Sequence, residues 1–415
     1  MSPTPRAAAV LAAIALLTAV TAPAVGAIGA LLLAGAVLAD ALAVRRPPDL
    51  RRDVPATLAR GVPAELLISA ERHGPGCVRI RQPAPPDLVV EPREGEDRLV
   101  ATLTGRRRGR HALGPVTART TGPLGLGRWQ HTVGEPVEIT VYPDLPAAHR
   151  LATAVRRGRF RAPGQLTRGP LGLGTEFESV REYLPDDDIR QVNWRATERL
   201  RRPMSNQFRV EQDRDVLLLV DAGRLMAAPL GDRTRLDAAV DAAVAVALTA
   251  DAVGDRCGLL AFDSGVLRRL APRRAGADGV VRALIDLEPR PAEPDYELAF
   301  RTVEGMKRAF VVVLCDLLEE SAARPLAAAV PVLSRRHAVL IATARDPDLD
   351  GLLGREPAGA QDAYAQAVAL DVLHSRRRTV HLLGGSGGTV LEAPAERLGA
   401  GCVAAYLGAK ARARA

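Results

Sequence analysis

The sequence predicts a three-part fold: an N-terminal transmembrane helical hairpin, a β-sandwich-like module, and a C-terminal α/β doubly wound domain. Three observations predict it. Ala7 to Ala39 contains no charged residue. Residues 50–145 show short apolar runs between turn residues, with no helical period. From Asp215 onward, apolar strand-like runs alternate with helical stretches, the pattern of a parallel sheet wrapped by helices.

In chain order, the first element is the uncharged run. As one helix its 33 residues would be about 50 Å long, against a hydrocarbon core of about 30 Å. Pro23, with Gly26 and Gly29, offers a break, so residues 1–45 are expected to form two crossing helices. A cleaved signal peptide competes, because Thr21-Ala22-Pro23-Ala24 is rich in small residues. The single preceding arginine and the continuing apolar stretch argue against it. Arg6 precedes the run, and Arg45, Arg46, Arg51 and Arg52 follow it. That pattern places both flanks, and residues 46–415, in the cytoplasm, with the lipid bilayer as a partner.

Residues 46–145 are expected to form the β-rich module, an antiparallel sandwich. Its strands lie near Ala64–Ile68, Cys77–Ile80, Asp87–Val90, Leu99–Leu103 and Val137–Val141. Residues 146–206 form an arginine-rich linker; positions 151–210 hold 12 arginines against 7 acidic residues. Gly169 to Gly174 repeats Gly122 to Gly127 letter for letter, but no longer similarity surrounds the copies.

Residues 207–410 form the α/β domain. Strands are expected at Val216–Val220, Cys257–Phe262, Ala309–Leu314 and Ala338–Thr343. Helices are expected near Arg235–Ala252, Gly279–Leu287, Tyr296–Arg308 and Ala323–Ser334. The tail offers helices near Asp362–Ser375 and Ala395–Ala409, around a short strand at Thr379–Leu383. Gly384-Gly-Ser-Gly-Gly388 lacks the lysine of a phosphate-binding loop, so it is expected to be a turn.

Composition narrows the function. Hydrophobic residues at 47% and charged residues at 25% exclude a disordered or collagen-like chain. Aromatics are only 3%, so the core is built from Ala, Leu and Val. Positive charge is almost wholly arginine; Lys307 and Lys410 are the only lysines. With abundant Ala, Gly and Pro this points to GC-rich coding, and it weakens any functional reading of an arginine cluster. The net charge of +8 suits an anionic partner, yet few aromatics remain for base stacking, so no nucleic acid is expected. Cys77, Cys257, Cys315 and Cys402 form no CxxC pair, and no histidines stand at i, i+4. Neither zinc nor a disulfide framework is expected.

In open α/β sheets ligands bind beyond the carboxyl ends of the strands. Asp221 ends the first strand and Asp316 follows the Ala309–Leu314 strand, so two carboxylates face one crevice, a hard-cation arrangement suited to Mg²⁺. Their order and spacing resemble the von Willebrand factor A fold. The metal site of that fold uses Asp-x-Ser-x-Ser, a later Thr and a later Asp. Here the first element is Asp221-Ala222-Gly223-Arg224-Leu225, and the threonine region is Glu293-Pro294-Asp295-Tyr296. Both serines are lost, so a degenerate site that binds Mg²⁺ weakly or not at all is expected, and no resident cofactor.

Upstream lies the longest motif: Arg181-Glu182-Tyr183, then Pro185 to Arg190, then Trp194 to Arg199. It resembles the signature of the bacterial domain-of-unknown-function 58 family: Arg-Glu-Tyr, Pro-Gly-Asp-Asp-x-Arg and Trp-x-x-x-Ala-Arg. Arg181, Glu182, Tyr183, Pro185, Asp187, Asp188, Arg190, Trp194 and Arg199 match; Asp186 and Glu198 depart from it. Arginines and carboxylates with one Tyr and one Trp suit either a charge-paired linker docked on the domain or a partner-binding surface. Adjacent carboxylates on a loop, with no His or Ser beside them, are a poor acid–base pair, so no enzyme is expected. The resemblance implies a membrane-anchored, von Willebrand A-like scaffold or adaptor in envelope or assembly work. It also implies a MoxR-type AAA+ ATPase as partner, with transglutaminase-like membrane proteins alongside. The alternatives are a metal-dependent enzyme using Asp221 and Asp316, or an arginine-rich nucleic-acid binder.

Overall fold

The computed structural model describes residues 1–18, 23–71, 76–160, 176–184, 192–209, 214–317 and 320–412. The chain divides into two compact units, Met1–Tyr142 and Pro143–Ala415.

In the first unit, helices α1 (Pro5–Thr18) and α2 (Pro23–Ala43) have 14 and 21 residues. At 1.5 Å per residue these are about 21 and 32 Å long. Among the described residues one helix, over Ala24–Ala43, is long and apolar enough to cross a membrane. Leu16, Leu31 and Leu32 point outward and are exposed. The helices run in opposite directions and touch through glycines: Thr18 packs on Gly26, and Ile14 on Gly29.

Both ends of this helical pair are tied to one turn. Ser2–Pro3 pairs with Gly127 and Arg128, and the Thr4 hydroxyl donates to the Gly125 carbonyl at 2.6 Å. Asp40, buried near the end of α2, accepts from the backbone N–H groups of Leu124, Leu126 and Gly127, each at 2.8 Å. Glycine is required here: a Cβ at Gly122 would lie 2.3 Å from Asp40 Oδ1, and one at Gly127 2.4 Å from the Val37 carbonyl oxygen. The first copy of the repeated hexapeptide is thus a carboxylate nest. The second copy lies outside the described residues.

The rest of the unit holds strands in every segment where they are expected, but they form three sheets rather than two. Five strands align in the order Ser2–Pro3, Gly127–Val133, Val116–Thr121, Cys77–Arg81 and Glu94–Glu96. Four align as Leu50–Asp53, Ala64–Ala70, Arg98–Gly105 and Leu88–Glu91, and three as Thr57–Ala59, Val137–Tyr142 and Gly109–Leu113. One core, including Leu66, Ile68, Ile80, Leu103 and Ile139, serves all three. Val116–Thr121 escapes a search for apolar runs because threonine and arginine interrupt it. Its Val116, Ala118 and Thr120 nevertheless alternate inward, as a half-buried strand requires.

The second unit starts with helix α3 (Leu145–Arg156), inside the stretch expected to be linker. Asp144 caps it through Ala147 N–H at 3.0 Å, and Asp144 N–H donates to Asp241 at 3.1 Å. A hairpin of Glu176–Glu182 and Met204–Arg209 follows, with helix α4 (Trp194–Leu200) between its strands.

The main sheet has strands β1 (Asp215–Asp221), β2 (Arg256–Phe262), β3 (Val266–Arg273), β4 (Ala309–Leu314), β5 (Ala338–Arg345) and β6 (Thr389–Pro394). Their order is β3-β2-β1-β4-β5-β6, parallel throughout except for the antiparallel edge strand β3. Every residue of β1 is buried, so both faces are covered. Leu217, Leu219, Val311 and Val313 pack with α7 (Tyr296–Glu304), α8 (Glu320–Ser334) and Leu383. The opposite face meets α5 (Arg235–Ala252) and α11 (Ala395–Arg412), while α6 (Ala277–Leu284) packs on α5 and α9 (Pro347–Leu353) on α10 (Ala360–Gly385). Helix α5 is apolar nearly all round, as a helix enclosed on all sides must be, and a Thr234–Asp237 capping box starts it.

The tail departs from expectation. Helix α10 (Ala360–Gly385) runs straight through the segment expected to be a strand, and the strand is Thr389–Pro394 instead. Arg376, Thr379 and Leu383 are buried at helical spacing, so this face continues the helix. Gly384–Gly388 closes α10: Ser386 N–H donates to the Leu383 carbonyl, and Gly387 has φ +91°. A helix C-terminus presents carbonyls, the opposite of a phosphate cradle. The four cysteines form no disulfide among the described residues, and Cys257, Cys315 and Cys402 are buried.

Candidate functional site

The signature is a small substructure of the second unit. Arg181 faces Ser205 across the hairpin and Glu182 faces Met204. Arg181 Nη1 donates to the Glu182 carbonyl at 3.0 Å, Arg202 pairs with Glu182 at 3.2 Å, and Tyr183 N–H donates to the Pro203 carbonyl at 3.0 Å. Asn193 starts α4: its Oδ1 accepts from Ala196 N–H at 2.9 Å, while its Nδ2 donates to Asn206 at 2.8 Å. Ala196 faces inward, whereas Trp194 is 70% exposed and Arg199 is exposed. Trp194 is therefore not a core residue. Asp187, Asp188 and Arg190 lie outside the described residues, and so does the internal pairing expected of them.

Asp221 and Asp316 meet where β1 and β4 end side by side, at the point where the strand order reverses. Both are buried, at 2% and 5% exposure. Asp221 Oδ1 accepts from Gly223 N–H at 2.7 Å, and Oδ2 accepts from the Tyr296 hydroxyl at 2.8 Å. A side chain at Gly223 would put its Cβ 2.9 Å from the Ala292 carbonyl oxygen and 3.0 Å from Asp221 Oδ1, so the serine of the A-type motif has no room. Burial, followed by the nearby Asp316 and Glu293 charges, pushes the Asp221 carboxyl up to about 6, against the two hydrogen bonds that favour its charge. Tyr296 is raised well above its ordinary value, first by burial and then by Cys315 and Asp221.

A cation already faces Asp316, and it is an arginine. Arg235 Nη1 donates to Asp316 Oδ1 at 3.2 Å and to the Ala344 carbonyl at 3.1 Å, and its Nη2 reaches Asp346 at 3.4 Å. Arg376 donates to the same Ala344 carbonyl at 2.7 Å and pairs with Glu392. Burial still raises the Asp316 carboxyl, although Arg235 and Arg376 pull it down. The donor set fits a divalent ion poorly: two carboxylates and the Tyr296 phenol, no serine or threonine hydroxyl bonded to either aspartate, and a guanidinium at hydrogen-bond distance, with Asp316 Oδ2 the one buried carboxylate oxygen left without a hydrogen bond among the described residues. Among the described residues no three His, Cys, Asp or Glu side chains cluster as metal ligands.

Arg235, Arg376 and Asp346 are charged neighbours of Asp316 that the sequence did not reveal. Arg235 left one usable signal. It stands at the first position of α5, where the helix dipole disfavours a cation, so it needs a specific anionic partner. Arg376 left none, because it sits in the run Arg376-Arg377-Arg378, which has the look of a solvated face.

The chain is 28% identical over 218 residues to the uncharacterized proteins Mb1516 of Mycobacterium bovis and Rv1480 of Mycobacterium tuberculosis. The match covers 49% of this chain and 66% of theirs, so it spans just under two thirds of those relatives. Among solved structures, the superoxide reductase (neelaredoxin) from Ignicoccus hospitalis overlaps 26% of this chain and 90% of its own. With 13% identity and a TM-score of 0.15, that overlap carries no argument. The model of the family described as "Protein of unknown function DUF58" matches residues 179–375. The second unit therefore carries a DUF58 segment, as the signature from Arg181 to Arg199 implies.

Proposed function

We propose that this chain is a membrane-anchored, non-enzymatic adaptor whose second unit docks a protein partner through the signature hairpin. Trp194 carries the proposal. A 70% exposed tryptophan on a short helix, among Arg195, Arg199, Arg201 and Arg202, is an unmatched apolar surface in a basic setting. Tryptophan and arginine are the residues that most often dominate binding energy at interfaces. The carboxyl end of the sheet supports the non-catalytic half. Tyr296 and Arg235 bond the two aspartates from within, and both carboxylates are buried, which supports a structural role for them.

The anchor is read as two crossings. Thr4 before α1 and Asp40 near the end of α2 bind the same turn, which supports both ends lying on one side of the bilayer. The flanking arginines assign that side to the cytoplasm. The strand order, with its antiparallel edge, supports a von Willebrand A-like domain, and the family resemblance supplies a MoxR-type AAA+ ATPase as the partner class.

Pull-down of the detergent-solubilised full chain tests this reading. Wild type is expected to capture a MoxR-type ATPase, and Trp194→Ala to lose it while melting at the same temperature. Capture unchanged in Trp194→Ala would remove the signature from the interface. Labelling of the exposed Cys77 in intact cells by an impermeant thiol reagent would reverse the assigned side.

A further inference from the structure

We propose that the cleft between α7 and α8 binds a neutral small molecule with an apolar body and one carbonyl oxygen, to which His337 donates a hydrogen bond. The cleft has a volume of about 610 Å³. That lies within the roughly 300–1,000 Å³ of small-molecule pockets. It contains none of the signature residues and neither Asp221 nor Asp316.

The walls follow from helical spacing. Helix α8 turns Pro325, Ala328, Ala329 and Val332 to the cleft, three and four residues apart, so one apolar stripe runs along it. Proline and alanine are too short to fill the gap to α7, whose buried Phe300 forms the floor. Val332, at the end of the stripe, is 55% exposed.

One polar group faces this apolar space. His337 borders the cleft where the chain leaves α8 for β5, and it is 4% exposed. The Ala309 backbone N–H, at the start of β4, donates to its Nδ1 at 3.2 Å. Nδ1 therefore presents a lone pair, and in the neutral ring the proton sits on Nε2. Burial, and then the Arg336 charge, lower the imidazole below its ordinary value, which keeps the ring neutral at pH 7. The two ring nitrogens point in nearly opposite directions, so Nε2 faces away from β4. Among the described residues it is a buried donor with no hydrogen-bond partner, where buried donors are nearly always paired. Nε2 is closed to solvent in this conformation. The exposed Arg336, which reaches the Glu304 carbonyl at 3.0 Å, stands beside it, and a swing of this long side chain opens the way.

The rim argues for a neutral ligand. Arg301, Arg335 and Arg336 face Glu297, Glu304 and the C-terminal ends of α7 and α8, each end worth about half a negative charge. Glu297 is paired with Arg301. The lining residues therefore leave no excess of either sign. A carbonyl accepts from Nε2 without bringing a donor of its own, which the apolar stripe would leave unpaired.

Photolabelling of the full chain in neutral detergent tests the proposal. The probe is benzophenone, an apolar ketone that inserts into nearby C–H bonds under ultraviolet light, and its sites are read by peptide mass spectrometry. Label is expected to concentrate on residues 297–304 and 325–337. Phenyl benzoate, which keeps a carbonyl, should compete about tenfold better than diphenylmethane, which has both rings and no acceptor, since one hydrogen bond is worth about that factor. Benzoylbenzoate, an anion, should compete no better than phenyl benzoate. His337→Phe should erase the preference for the ester, and Arg336→Ala should keep it. Ala328→Phe, at an exposed position, should block labelling while the chain melts like the parent, which keeps the cleft testable if His337→Phe does not fold. The proposal is overturned if label does not concentrate in the cleft, or if diphenylmethane competes as well as phenyl benzoate. It is also overturned if the anion competes better, if a folded His337→Phe keeps the preference, if Arg336→Ala loses it, or if labelling survives Ala328→Phe.

Discussion

The two ends of the main sheet handle buried carboxylates in opposite ways. At the carboxyl end, Asp221 and Asp316 are held by groups from inside the fold, a tyrosine hydroxyl, two backbone N–H groups and the Arg235 guanidinium, with only Asp316 Oδ2 left without a hydrogen bond. At the amino end, Asp255 is equally buried, but the lysine and tyrosine it holds border an open cavity rich in further cations. In a doubly wound sheet the carboxyl end is the customary ligand crevice. That custom depends on the crevice staying empty, and here Arg235 from the start of α5 closes it. The open polar space lies at the other end of the sheet, where β1, β2, β4 and β5 begin.

The comparison is most easily broken at Arg235. Arg235→Met would leave Asp316 and Asp346 without their shared cation. A loss of about 3–5 kcal/mol is expected in urea unfolding of the full chain, and Arg235→Met/Asp316→Leu should recover most of it. If the single variant unfolds like the parent, the guanidinium is not what closes this end.

A pH profile gives the next largest effect. The folded-state value of Asp221, about 6, lies above its ordinary value near 3.8, so the folded chain binds that proton more tightly than the unfolded chain. The contribution of this group is therefore fully present below about pH 4 and disappears as pH rises through 6. At 1.36 kcal/mol per unit it amounts to about 3 kcal/mol. Asp316, shifted in the same direction, steepens the fall. Melting midpoints between pH 4 and 7 should show the slope in the parent and a flatter one in Asp221→Asn.

The amino end is probed more gently by Tyr406→Phe. It removes one of the donors to Asp255 while Lys410 and Arg214 N–H remain, so about 1–2 kcal/mol is expected from the same unfolding measurement. The smallest effect belongs to Trp194→Ala: exposed as it is, the change in stability should stay within about 0.5 kcal/mol. A larger loss would mean that Trp194 supports the fold.

Much of the architecture was legible because it is written in local periodicity. The β1 run, Val216 to Val220, is apolar at every position because both faces of a central parallel strand are covered, and it emerged where expected. The strands of the first unit were legible where Val, Ile and Leu alternate. Val116–Thr121, whose inward positions are a valine, an alanine and a threonine, was not. The Thr379–Leu383 error had the same origin: five residues with a helical and a strand-like reading, decided by α10 carrying its buried face onward through Leu383.

The candidate site was legible only in part. Asp221 and Asp316 could be placed together because strand ends are predictable and adjacent parallel strands end together. Trp194 and Arg199 could be found by motif, but not their exposure.

What the sequence by itself determined is the central strands of the main sheet, most of its helices and the membrane-length run, since each depends on residues within a few turns of one another. Only the tertiary structure decided which charges meet. Arg235 and Asp316 are 81 residues apart and share one buried contact. Lys307 and Lys410 belong to a strand entrance and a terminal helix, and they share one cavity. Charge pairing is a property of distance in space, and no local pattern encodes which distant arginine will meet a buried carboxylate or which distant lysines will converge.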